Sequence, residues 1–137
     1  MINFKIILNV LGYLLVALSI LLIIPIVIDL ISGNDSWKSF LISLIITFGF
    51  GVTFLLSTRN ELKNKILTQD AFLITTLSWI FISVFGALPF FFSDSSLSLT
   101  NSIFESMSGI TTTGSTIFNK VENLPQGILI WRSILQW

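Results

Sequence analysis

The chain has 137 residues, of which 53% are hydrophobic and only 10% charged, with seven basic and seven acidic side chains cancelling to zero net charge. Water-soluble domains carry about 25% charged residues, so this is the composition of a membrane protein, and the neutral balance offers nothing to nucleic acid. Cys and His are both absent, which removes disulfides, thiolate chemistry and the commonest general base and metal ligand, so no enzyme is expected.

The first apolar run is Ile6 to Ile31. As a helix it reaches about 39 Å, more than the ~30 Å hydrocarbon core. It must tilt or let its ends enter the headgroups. Pro25 is expected to kink it near one end. Asp29 is then expected at the interface. The preferred reading is a wet helix-end carboxylate, because charges deep in a bilayer are rare; the other is an ion-attracting charge at a pore mouth. Lys5 resembles the charged start of a signal peptide, but the run exceeds the ~7–15 apolar residues of such a peptide and no A-x-A-like site follows. A retained helix is expected.

Phe40 to Ser57 is the second run, with Gly49 and Gly51 inside it. Small residues let helices approach closely in a bilayer, although this spacing is not GxxxG. The third run, Ala71 to Phe92, contains Trp79 and ends in Pro89-Phe-Phe-Phe92, an aromatic cluster suited to an interface. Arg59, Lys63 and Lys65 crowd the linker between the second and third runs, and Lys5 precedes the first. By the positive-inside rule those segments are cytoplasmic. Lys38, Lys120, Asp35, Asp94 and Glu122 fall on the other side, and the third run exits outward near Ser93.

The next segment is too short to cross. Thr100 to Gly109 as a helix measures about 15 Å. Thr100 is a plausible N-cap, and Ser102-x-x-Glu105 fits a capping box that would start the helix two residues later. Gly109 is the expected C-terminal stop. A Thr-rich turn follows, Thr111-Thr-Thr-Gly-Ser-Thr116. Irregular backbone at membrane depth is tolerated only where it is buried in protein or lines water. A dehydrated cation needs oxygens. Thr112, Thr113 and Gly114 can supply carbonyls, Gly114 has the backbone freedom to aim them, and the half-helix points its partly negative end the same way. The pattern reads as a re-entrant pore helix and a selectivity filter. A capped surface helix with a polar loop is the bland alternative.

Two charges fall inside this unit, Glu105 in the half-helix and Arg132 near the start of the last apolar run. Either alone near the bilayer centre costs ~2.5–3.5 kcal/mol or more. They are expected to pair, since a planar guanidinium can hold a carboxylate at two points. In the alternative, Arg132 snorkels to the interface and Glu105 faces a watery cavity.

The run Phe104-Glu-Ser-Met-Ser-Gly-Ile-Thr-Thr-Thr-Gly-Ser-Thr116, with Leu124-Pro-Gln-Gly-Ile-Leu-Ile-Trp-Arg-Ser-Ile-Leu-Gln-Trp137 after it, resembles the first pore repeat of the Trk/Ktr superfamily of potassium transporters, specifically a TrkH-type membrane subunit. The resemblance implies an all-α membrane protein: three transmembrane helices, a re-entrant pore helix with its filter loop, and the start of a fourth, inner helix. Residues 1–69 would be the helix pair that precedes the repeats, and 70–137 the first repeat. It aligns Thr112-Thr113-Gly114 with the T-V-G of a potassium-channel filter. This makes the Thr112 and Thr113 carbonyls the implied potassium ligands, with Thr111 and Ser115 flanking. Potassium is cargo, and no cofactor is implied.

The resemblance further implies a bacterial-type plasma (inner) membrane with the N-terminus cytoplasmic, a cytoplasmic nucleotide-binding regulatory subunit, and a homodimer of the full-length parent. In the family the inner helix continues past a QWxGG-type stretch and three more repeats follow. One repeat cannot encircle an ion, so a fragment of a longer transporter is expected. A non-transporting scaffold or assembly subunit is the competing reading.

Overall fold

The computed structural model describes residues 3–58, 67–93, 97–118 and 121–137. Among these, all regular structure is helical: α1 Phe4–Leu21, α2 Ile23–Ser32, α3 Trp37–Thr58, α4 Thr68–Gly86, α5 Leu88–Phe92, α6 Leu99–Ile110 and α7 Gln126–Gln136, with a 3₁₀ turn at Val121–Asn123. Three stretches are long and apolar enough to cross a membrane: Phe4–Ser32, Trp37–Thr58 and Thr68–Phe92. The second is longer than its apolar run because Trp37, Lys38 and Ser39 form its first turn. Arg59, Lys63, Lys65, Asp94 and Lys120 lie outside the described residues.

Two of the spans are broken by proline. Pro25 has no N–H to give the Leu21 carbonyl, and the helix is interrupted at Leu22, between α1 and α2. Pro89 sits at the start of α5, just past the break at Ala87. There the Gly86 carbonyl accepts the indole N–H of Trp131 at 2.9 Å, so an opened helix turn is satisfied from α7.

The core is continuous along the chain. Leu15, Leu22 and Phe40 from the first two spans pack with Phe85, Phe90 and Trp131 from the rest. Phe40 and Trp131 meet edge to face, with ring centroids 6.5 Å apart. α1 and α3 approach through two glycines. A Cβ on Gly51 would lie 2.9 Å from Val16 Cγ2 and 3.2 Å from the Gly12 carbonyl; one on Gly12 would lie 3.1 Å from the Gly51 carbonyl. Gly49 has open space around it.

Polar contacts tie both ends of the bundle. At one end Ser32 Oγ donates to Gln126 Oε1 at 2.6 Å, Gly127 N–H to Asp29 Oδ1 at 2.8 Å, and Ser39 Oγ to the Phe92 carbonyl at 2.8 Å. At the other, Asn9 Nδ2 donates to Thr58 Oγ1 at 2.8 Å, while Asp70 accepts the N–H groups of Asn3 at 2.9 Å and Leu67 at 3.1 Å. Asp29 therefore departs from its expected place at a wet interface: it has no solvent exposure, because α7 starts directly against it.

Candidate functional site

The half-helix α6 begins earlier than either predicted cap. Its N-cap is Ser98, whose hydroxyl accepts from Asn101 N–H at 3.3 Å. Neither Thr100 nor the Ser102-x-x-Glu105 box caps it. Ser102 Oγ donates back to the Ser98 carbonyl at 3.1 Å, and Glu105 points away into the protein. Nor does Gly109 stop the helix, which continues through Ile110. Gly109 is there for clearance: a Cβ on it would lie 3.1 Å from Leu135 Cβ on α7.

The turn after α6 folds back onto the helix end. Thr112 N–H donates to the Gly109 carbonyl at 2.9 Å, and the N–H groups of Thr113 and Gly114 to the Ser108 carbonyl at 3.0 and 3.4 Å. Two residues take left-handed backbone, Thr112 at φ 56° and Gly114 at φ 75°. Gly114 does so without strain, whereas β-branched Thr112 is a genuine outlier. With the N–H groups committed to the helix end, the carbonyls face the other way. Among the described residues, no carbonyl of Thr111, Thr112, Thr113 or Gly114 accepts a hydrogen bond. Thr111 through Thr116 are all exposed, and Thr111 Oγ1 and Thr113 Oγ1 lie 2.8 Å apart. A pocket of about 190 Å³ beside the turn is lined by Phe104, Met107, Ser108, Thr111, Thr113 and Ser115.

Behind the turn stands Glu105, which is 2% exposed. Arg132 Nε lies 2.7 Å from its Oε1. Thr116 Oγ1 donates to Oε1 at 3.0 Å, and Ile117 N–H to Oε2 at 3.1 Å. One carboxylate thus joins α6, the irregular segment leaving the turn, and α7. The Arg132 guanidinium also lies 6.0 Å from the Phe118 ring centroid, within cation–π range.

Sequence reasoning missed Ser108 and Thr116. Ser108 takes two turn amides on its carbonyl and donates Oγ to the Ser115 carbonyl at 2.6 Å. Neither residue type carries a signal that marks it out from its serine and threonine neighbours.

A model of the TrkH family, described as cation transport protein, matches residues 36–137. The chain belongs to the TrkH family. Among TrkH relatives, the Trk system potassium uptake protein TrkH of Halomonas elongata is 39% identical over 136 residues, 98% of this chain and 28% of that protein. The Escherichia coli K12 protein of the same name is 35% identical with the same coverage. The crystal structure of the potassium transporter TrkH from Vibrio parahaemolyticus superposes with a TM-score of 0.93 at 30% identity, over 99% of this chain and 29% of that one. The chain therefore spans about 28% of the length of the TrkH proteins it matches. The resemblance carried by residues 104–116 and 124–137 is confirmed at the level of the family.

Proposed function

We propose that this chain supplies the first pore repeat, and the helix pair before it, of a potassium-uptake membrane subunit. α4 and α5 form the outer helix, α6 the re-entrant pore helix, 111–116 the filter, and α7 the first turns of the inner helix. The Thr112 and Thr113 carbonyls are the potassium ligands, with Gly114 setting their direction and Thr111 flanking. Three further repeats complete the ring, as one repeat contributes only one side of a coordination shell.

The observation that carries this reading is the row of unpartnered carbonyls at the C-terminal end of a short helix, held there by amides that point back into that helix. A cation replaces its hydration shell with such oxygens, and the helix end adds a partly negative potential. The clasps at the bundle end support the re-entrant path. Phe92 contacts Ser39, and Gln126 contacts Ser32, so the chain enters and leaves the 93–126 stretch at one end of the bundle.

Residues 1–69 act as the preceding helix pair, with the N-terminus cytoplasmic in a bacterial inner membrane. A cytoplasmic nucleotide-binding subunit and a second copy of the full-length parent are the proposed partners.

The test uses the full-length transporter carrying this sequence, expressed in cells deficient in potassium uptake. Gly114→Asp places a β-carbon and a charge where φ is positive and ions must pass. Rubidium uptake is expected to fall to host background while the amount of protein in the membrane stays normal. Undiminished uptake in that variant would return the scaffold reading.

A further inference from the structure

Asp29 is a fully buried carboxylate whose partner is not a cation. Its Oδ1 accepts the backbone N–H of Gly127 at 2.8 Å, across 98 positions of sequence. Gly127 is the second residue of α7, so its N–H is one of the helix-start donors that no intrahelical carbonyl can satisfy. The residue at the cap position of α7 is Pro125, and no side chain of the helix's own caps it. Asp29 supplies from α2 the oxygen acceptor that an N-cap side chain supplies locally. The fit is close: a Cβ on Gly127 would overlap the carboxylate. One turn further along α2, Ser32 Oγ donates to Gln126 at 2.6 Å.

This clasp lies at the head of a chain of contacts. Arg132 stands on the same short helix as Gly127 and holds Glu105, which in turn holds Thr116 and the Ile117 amide. We infer that Asp29 is a positioning residue for ion selection: from the N-terminal helix pair it fixes the start of α7 and, through Arg132 and Glu105, the segment that leaves the filter turn. The inference rests on the pore reading above. It gives the helix pair a task inside the pathway unit.

The test is made in the full-length transporter carrying this sequence. Asp29→Ala and Asp29→Asn are compared for rubidium KM, potassium-over-sodium preference and amount in the membrane. Asp29→Ala is expected to raise KM or lower the preference by roughly two- to thirtyfold, the range set by loss of an N-cap. Asp29→Asn keeps an oxygen acceptor and stays within about twofold of the parent. Bridging Ser32→Cys and Gln126→Cys with a short bis-methanethiosulfonate in the Asp29→Ala protein is expected to restore KM and preference. A residue that only helps the protein fold would change the amount of transporter and leave KM and preference alone.

Parental KM and preference in Asp29→Ala overturn the inference, as does a defect that the bridge leaves in place. If Asp29→Ala accumulates only when bridged, the bridged form decides: a parental KM supports the inference and a shifted KM sinks it. The yield of the bridge in isolated membranes, expected to drop when Asp29 is alanine, requires no transport. A protein that carries no rubidium at all would sink the pore reading and leave that measurement standing.

Discussion

A buried carboxylate with three donors on it is a costly object to leave half-assembled. Glu105 has Arg132, Thr116 and the Ile117 amide around it, and the Arg132 side chain is 21% exposed. Removing one partner of a buried ion pair typically costs 3–5 kcal/mol, because the other charge stays behind. For Arg132→Ala the expected loss is about 3 kcal/mol, at the low end since the site is not fully dry. Thr116 and the Ile117 amide remain to hold Glu105, so Glu105→Ala in the same protein should recover part of the loss. Denaturation midpoints of both single variants and the double variant, in detergent, check this; strictly additive losses would mean that the two groups do not act on each other. Glu105 and Arg132 stood out in the sequence for the reason that makes them matter: a charge inside an apolar run is expensive. Asp29 was equally conspicuous, yet its partner was illegible. That partner is the backbone N–H of a glycine, and a backbone donor has no letter in the sequence. Thr112 was hidden differently. Expectation put left-handed backbone on Gly109 and Gly114; the folded turn keeps Gly109 helical and shows a threonine sharing that conformation with Gly114.

Among the helices, existence and order were legible, whereas ends and contacts were not. Hydropathy over 20 residues is a strong signal, and Pro25 announced a kink near one end of the first run, which the structure puts at Leu22. Caps depend on which of several similar hydroxyls reaches the first free amide. Ser98, Thr100 and Ser102 all qualify by type, and Ser98 wins by position. The glycines show the same limit. Gly49 and Gly51 look alike in sequence, but only Gly51 lies against α1, opposite a Gly12 that no motif had flagged. The pair separates two outcomes of one chemical change. Gly51→Ala would press a methyl against Val16 backbone and the Gly12 carbonyl. Backbone cannot step aside as a side chain can, and overpacking of this kind costs about 1–3 kcal/mol. Gly49→Ala meets nothing and removes a helix-interior glycine, so it should be neutral or stabilising by up to about 1 kcal/mol. Thermal midpoints of the two variants in one detergent give the comparison. Equal losses would show that the α1–α3 approach is not tight at Gly51.

At the scale of the whole molecule, the clasps at the two bundle ends make topology testable in two separable steps. Ser32 and Gln126 are in hydrogen-bond contact at the end of the bundle where α2 stops and α7 starts. Whatever lies between Phe92 and Gln126 must therefore begin and finish on one side of a bilayer. Were residues 97–118 to cross instead, Gln126 would be carried to the far side, out of reach of Ser32. It follows that cysteines at Asp35 and Glu122, both exposed, should react alike with a membrane-impermeant maleimide, and that one at Lys5 should behave oppositely. This first step is independent of which side is which. The second step is the absolute orientation, which rests on Lys5 and on the basic residues Arg59, Lys63 and Lys65 holding their segments in the cytoplasm. In intact cells the Asp35→Cys and Glu122→Cys variants of the full-length protein are expected to label, and Lys5→Cys to label only after permeabilisation. Opposite behaviour of the Asp35 and Glu122 variants would break the re-entrant path itself. Inversion of all three would leave that path intact and overturn only the charge rule for this protein.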